Sequence, residues 1–197
     1  IAHRNFLFDV DLLPGKQVDI YLRVKSNSSI QVPITLSPTH IFYSNDQTEL
    51  ISKSLYYGMM LVMILYNLFL LISLKEIVYF YYISFVFSVT AAQFCLHGLS
   101  SQYFWPETPS LQEYSILFFV PSCVLFAALF TRQFLHLKYN SPNTDKLIHI
   151  LSAIALFSMI GAFILDYSIS IKISIVAVVI TSSTALFIGP YLWSRGY

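Results

Sequence analysis

Residues 54–74 read SLYYGMMLVMILYNLFLLISL, apolar apart from Ser54, Asn67, Ser73 and the tyrosine hydroxyls. A helix rises about 1.5 Å per residue, so a run of this length just crosses a bilayer core of roughly 30 Å. The stretch therefore predicts a transmembrane helix, and it divides the chain. Alternating polar and apolar residues precede it, and long apolar runs joined by short polar connections follow. Of the 197 residues 56% are hydrophobic and 11% charged, against about a quarter charged in soluble domains. This is the composition of an integral membrane protein surrounded by lipid. With a formal net charge of +1, nothing points to nucleic acid.

Beyond residue 74 the runs 77–96, 114–135, 147–165 and 171–193 predict four more crossings, making residues 54–197 an all-α membrane bundle of five helices. Lys75-Glu76 forms a tight turn, and Pro121 is expected to kink the third helix. Residues 97–113 read as a polar loop with Trp105, Pro106 and Pro109, residues 136–146 as a second loop, and 166–170 as a turn. Basic residues set the orientation. Lys75, then Arg132, Lys138 and Lys146, then Arg195 share one side, whereas 97–113 and 166–170 carry none. The basic side is expected to be cytoplasmic, which places the front segment in the periplasm of a bacterium and the chain in the inner membrane as a multi-pass protein. Lys172 is the exception, with a stem long enough to reach the interface. Tyr103, Trp105 and Tyr114 on one side, with Tyr139, Tyr191 and Trp193 on the other, fit interfacial aromatic belts.

The front of the chain has a period of two. Phe6, Phe8, Val10 and Leu12 alternate along a first strand, Leu13-Pro14-Gly15-Lys16 turns the chain, and Val18, Ile20, Leu22 and Val24 alternate along a second. Val32, Ile34 and Leu36 make a third, interrupted by Pro33. Residues 1–42 are thus expected to be a small antiparallel β segment, with 43–53 a polar connection. Three strands bury too little to stand alone, so the segment reads as the tail of a larger β-sandwich. Tyr21, Arg23 and Lys25 read as the solvated face of that sheet. The chain begins without a methionine or a signal-peptide pattern, and both ends are expected to continue.

No reaction chemistry is visible. His3, His40, His97, His136 and His149 make no spaced pair for a metal, and Cys95 and Cys123 read as packing residues. There is no phosphate-binding glycine loop and no serine elbow, and Asp145 and Asp166 fall in connections, so neither an enzyme nor a cofactor is expected. The remaining candidates are residues for bundle packing or signal relay: Gly58, Tyr66, Asn67, Ser84, Thr181, Ser182, Ser183 and Thr184. Asn67 and Ser84 both lie roughly 10 Å from the basic face, where a hydrogen bond across the hairpin would contribute about 1 kcal/mol. The four hydroxyls at 181–184 would either line a cavity or bond back to carbonyls one turn earlier.

The order of several short motifs carries a resemblance. The strand-Pro-Gly-strand pattern with Leu22-Arg23-Val24 is followed by Tyr56-Tyr57-Gly58, Leu65-Tyr66-Asn67, Lys75-Glu76 and Tyr79-Phe80-Tyr81-Tyr82. Then come His97-Gly98, Tyr103-Phe104-Trp105-Pro106, Phe130, Phe134-Leu135, Pro142 and Arg195-Gly196-Tyr197. This order resembles the bacterial seven-transmembrane receptors with diverse intracellular signalling modules (7TMR-DISM). The resemblance identifies 1–42 with the end of the type-2 extracellular β-sandwich, or jelly roll, and 54–197 with the first five of seven helices. It implies a sensor whose outer domain takes a carbohydrate or other small ligand. In such a sensor the helices drive a cytoplasmic module in cis, such as a diguanylate cyclase or histidine kinase, often in a homodimer. No catalytic or ligand residue transfers. The rival readings are a multi-pass transporter or channel, a rhodopsin-like protein, which needs a lysine deep in a late helix, and a membrane enzyme.

Overall fold

The computed structural model describes residues 7–10, 15, 17–24, 32–106, 108–161 and 167–194. Among them the chain forms seven helices: α1 Thr39–Leu74, α2 Ile77–Leu96, α3 Leu99–Tyr103, α4 Pro109–Phe134, α5 Leu137–Asn140, α6 Pro142–Gly161 and α7 Tyr167–Ser194. Four of them, α1, α2, α4 and α6, are long and apolar enough to cross a membrane. The fifth apolar run is α7, whose apolar stretch among the described residues, Ile169–Thr184, is shorter than those four.

The helices pack in sequence from α1 to α4, which then joins α6 and α7 in a group of three. α1 touches α2, α2 packs most extensively on α4, and α4 in turn meets α6 and α7, which also meet each other. The seams follow from spacing. On α1 the half-buried residues Lys53, Tyr57, Met60, Ile64, Asn67 and Leu71 recur at alternating steps of four and three, the spacing of a coiled-coil seam. On α7 the buried residues Ser170, Ser174, Ala177 and Thr181 repeat that step and are all small. They face an α6 whose buried side carries Ser152, Ala155, Ser158 and Gly161. Small residues let backbones approach closely where lipid tails supply no hydrophobic drive between helices. The hydroxyls of Ser158 and Ser174 share a hydrogen bond of 2.8 Å across this seam.

One expectation is corrected. The connection predicted over 43–53 is the first part of α1, which starts behind Pro38 and runs unbroken for 36 residues. Local bonds hold this polar stretch helical: Thr48 and Ser52 hydroxyls donate to the carbonyls four residues earlier, and Lys53 pairs with Glu49. At about 1.5 Å per residue α1 is about 54 Å long, so some 24 Å projects beyond a 30 Å core as a stalk. The strands predicted for the front segment are not shown, and much of that segment lies outside the described residues. The described parts of it, 7–10, 17–24 and 32–38, contain no strand. Among the described residues Phe8, Ile20, Ile34 and Leu36, which alternation would bury, are exposed.

The connections at either end also differ from simple loops. Lys75 closes α1 in the left-handed conformation, φ 57°, with its N–H on the Leu71 carbonyl, and extended Glu76 opens α2. The expected polar loop 97–113 contains α3 with buried Leu99 and Ser100, and α4 begins five residues before the predicted boundary of 114. α4 continues as one helix through buried Pro121.

Candidate functional site

The bundle concentrates its polar geometry at its two ends. At the end carrying the 97–108 connection, the Tyr57 hydroxyl of α1 and Nδ1 of His97, just past α2, share a hydrogen bond of 2.8 Å. Tyr57 also packs edge-on against Phe94 and Tyr56. Beside it Gln112 of α4 acts as a hub. Its Oε1 accepts from the Ser100 hydroxyl and, at 3.3 Å, from Trp105 Nε1, while its Nε2 donates to the Cys95 carbonyl. Phe104 bridges Phe94 and Trp105 by ring contact. Five segments are thereby tied at one level: the base of the α1 stalk, the end of α2, α3, the residues after α3, and the start of α4.

At the opposite, basic end Arg132 of α4 donates from Nε to Asp145 Oδ1 of α6 at 2.7 Å. His149 Nε2 lies 3.7 Å from the other carboxylate oxygen. Asp145, expected in a connection, is instead in the first turn of α6, where Pro142 opens the helix and its dipole favours an acid. Its side chain is 13% exposed and that of Arg132 28%, so water screens the pair only partly. Directly beneath, Ala128, Leu137 and Ile148 form a buried apolar cluster. On the far side of α4 a groove of about 650 Å³ opens between α1, α2 and α4, lined among others by Asn67, Glu76, Tyr82, Gln133 and His136.

The relay candidates read from sequence are dispersed. Gly58 faces open space, with nothing within 4 Å of a Cβ built there, and Tyr66 is 61% exposed. Asn67 and Ser84 do not meet as expected: Asn67 Nδ2 donates to the Met63 carbonyl at 2.8 Å, and the Ser84 carbonyl accepts from Ser88. The hydroxyl run divides by helical phase, with Thr181 buried and Thr184 beside it on one cavity while Ser182 and Ser183 are exposed. The two polar clusters, around Gln112 and Asp145, are not among the residues read from the sequence. A usable cue existed for Asp145, because proline followed by an acid three residues later marks a helix start. Gln112 offered none, since its partners lie on other segments.

Residues 49–197 match the family described as 7TM diverse intracellular signalling, and residues 1–38 match 7TMR-DISM extracellular 2. No match is found among curated proteins or solved structures. The first match spans well over half of the chain, including α1 from residue 49 and the whole of α2, α4 and α6, and the second falls on the segment whose alternation suggested an outer domain. The chain therefore belongs to the 7TM diverse intracellular signalling family, and it is a membrane-embedded, multi-pass part of a transmembrane signalling receptor.

Proposed function

We propose that this chain relays the state of an outer sensor domain, residues 1–38 being its membrane-proximal end, through the bundle to a cytoplasmic output module in cis. The observation that carries the proposal is the continuity of α1 from Thr39 to Leu74 together with its hydrogen bond to His97. A continuous helix moves as one body, so a tilt or rotation imposed at Thr39 reaches the Tyr57 junction and the Lys75 hairpin with little loss. Small-molecule, and in particular carbohydrate, binding outside would act by favouring one packing of the bundle over another, to the extent of its difference in affinity for the two. The output, a diguanylate cyclase or histidine kinase being the leading classes, follows the basic end, and the exposed face of α1 suits a homodimer. We assign this chain no reaction of its own and place it in a bacterial inner membrane.

Positive charge sets the direction: Lys75, Arg132, Lys138 and Lys146 share one end, which we place in the cytoplasm. A transporter or channel is not favoured, because buried Ser88, Ser122, Ser152 and Ser174 each commit their one proton to a carbonyl one turn earlier and so have only acceptor lone pairs to offer a polar path. The test is topological. A periplasm-active reporter inserted within 97–108 is expected to be active and a cytoplasm-active reporter fused after Tyr197 to fluoresce; the reverse pattern defeats the proposal.

A further inference from the structure

We propose that one structural water molecule binds between α4, α6 and α7, held by the hydroxyls of Thr131, Thr181 and Thr184. A cavity of about 30 Å³ lies there, bounded by Ala127, Ala128, Ile148 and Leu151 as well as the three threonines. A space of roughly 10–15 Å³ suffices for one water, which needs two to four polar partners. Thr181 Oγ1 is buried and has no hydrogen-bond partner among the described residues. It is the exception to a pattern. The neighbouring hydroxyls bond back along their own helices: Thr131 to the Ala127 carbonyl, Thr184 to Ile180 and Ser174 to Ser170.

The donor and acceptor inventory closes with a water in place. Thr131 and Thr184 have each committed their single proton to a carbonyl, so only oxygen lone pairs remain to face the cavity, whereas Thr181 still holds its proton. A water that accepts from Thr181 and donates to Thr131 and Thr184 makes three hydrogen bonds, the usual number for a buried water. An apolar occupant would leave the Thr181 hydroxyl unpaired, at about 1–3 kcal/mol. A metal cation is unsuitable, because no carboxylate among the described residues lines the cavity and an uncompensated charge is very costly there. The site lies one turn inside the Arg132–Asp145 pair, since Ala128 precedes Arg132 by four residues and Ile148 follows Asp145 by three.

The sign of one substitution tests the proposal. Thr181→Val keeps the side-chain shape and removes the hydroxyl. If a water is held, the full-length receptor in detergent loses about 2–4 °C of thermal midpoint, and adding Thr184→Val to that variant costs little more, because both act on one water. If no water is held, Thr181→Val deletes an unpaired buried hydroxyl, and the midpoint stays or rises; that result overturns the proposal. Ser182→Val, on the exposed side of α7, serves as the control. Radiolytic footprinting gives a second readout independent of stability. Bound water is expected to label Ile148 and Leu151, and labelling should fall to background in Thr181→Val; background labelling in the wild type overturns the site.

Discussion

Asp145 holds the end of α6 to α4 through a single carboxylate facing both Arg132 and His149. A fully exposed pair is worth at most about 1 kcal/mol, and breaking a fully buried one costs about 3–5 kcal/mol. With both side chains mostly covered, Asp145→Ala is expected to fall between these limits, at about 2 kcal/mol, read as a drop in thermal midpoint. The exchange Arg132→Asp with Asp145→Arg should recover part of that loss, and a double-mutant cycle showing additivity would remove the pair from the account. At the other end Tyr57→Phe deletes only the hydroxyl bonded to His97. It should leave the aromatic packing with Phe94 intact and change the stimulus response of the full receptor more than its stability. Such residues are poorly legible in a sequence. Arg132 and Asp145 are thirteen positions apart across a chain reversal, and nothing in either local pattern indicates that the two face each other.

Helices, by contrast, announced themselves by hydropathy, and what changed was where they start and stop. α1 begins fifteen residues before the boundary at Ser54, because i to i+4 bonds and the Glu49–Lys53 pair support a polar helix that hydropathy does not register. Gln47→Pro should break the stalk at a cost of about 3 kcal/mol of helix stability. If α1 carries the signal as a rigid body, this variant loses stimulus response while the bundle keeps its thermal midpoint; a retained response would show that the stalk is not the conduit. The hairpin offers a complementary case. Lys75 sits at φ 57°, where an L side chain is disfavoured by about 1–2 kcal/mol, so Lys75→Gly should raise the midpoint even though it removes a charge from the basic end.

Among the described residues the bundle is open at α1, which packs on no helix but α2, its bond to His97 apart, and has no buried residue. The buried share of the membrane-capable helices rises from α1 through α2 and α4 to α6, and at the seam of α6 and α7 Ser158 and Ser174 meet. In a chain with Cys95 and Cys123 replaced, Ser158→Cys with Ser174→Cys should form a disulfide under mild oxidation, because the two hydroxyls are 2.8 Å apart; reduced thiols after oxidation would contradict this α6–α7 register. From sequence alone came the membrane class, the long helices, the Lys75-Glu76 hairpin and the family, since each rests on local composition, the cost of apolar surface in water and the order of short motifs. Only the tertiary structure decided which polar groups meet. It turned Asn67 back on its own helix, divided Thr181 from Ser182 and Ser183, and brought Asp145 to Arg132 and Gln112 to Ser100, Trp105 and the Cys95 carbonyl. The reason is geometric. Hydropathy sets how deep a residue lies in the membrane, whereas its partner depends on the rotation of each helix about its axis, which is fixed only when small residues on neighbouring helices close against one another.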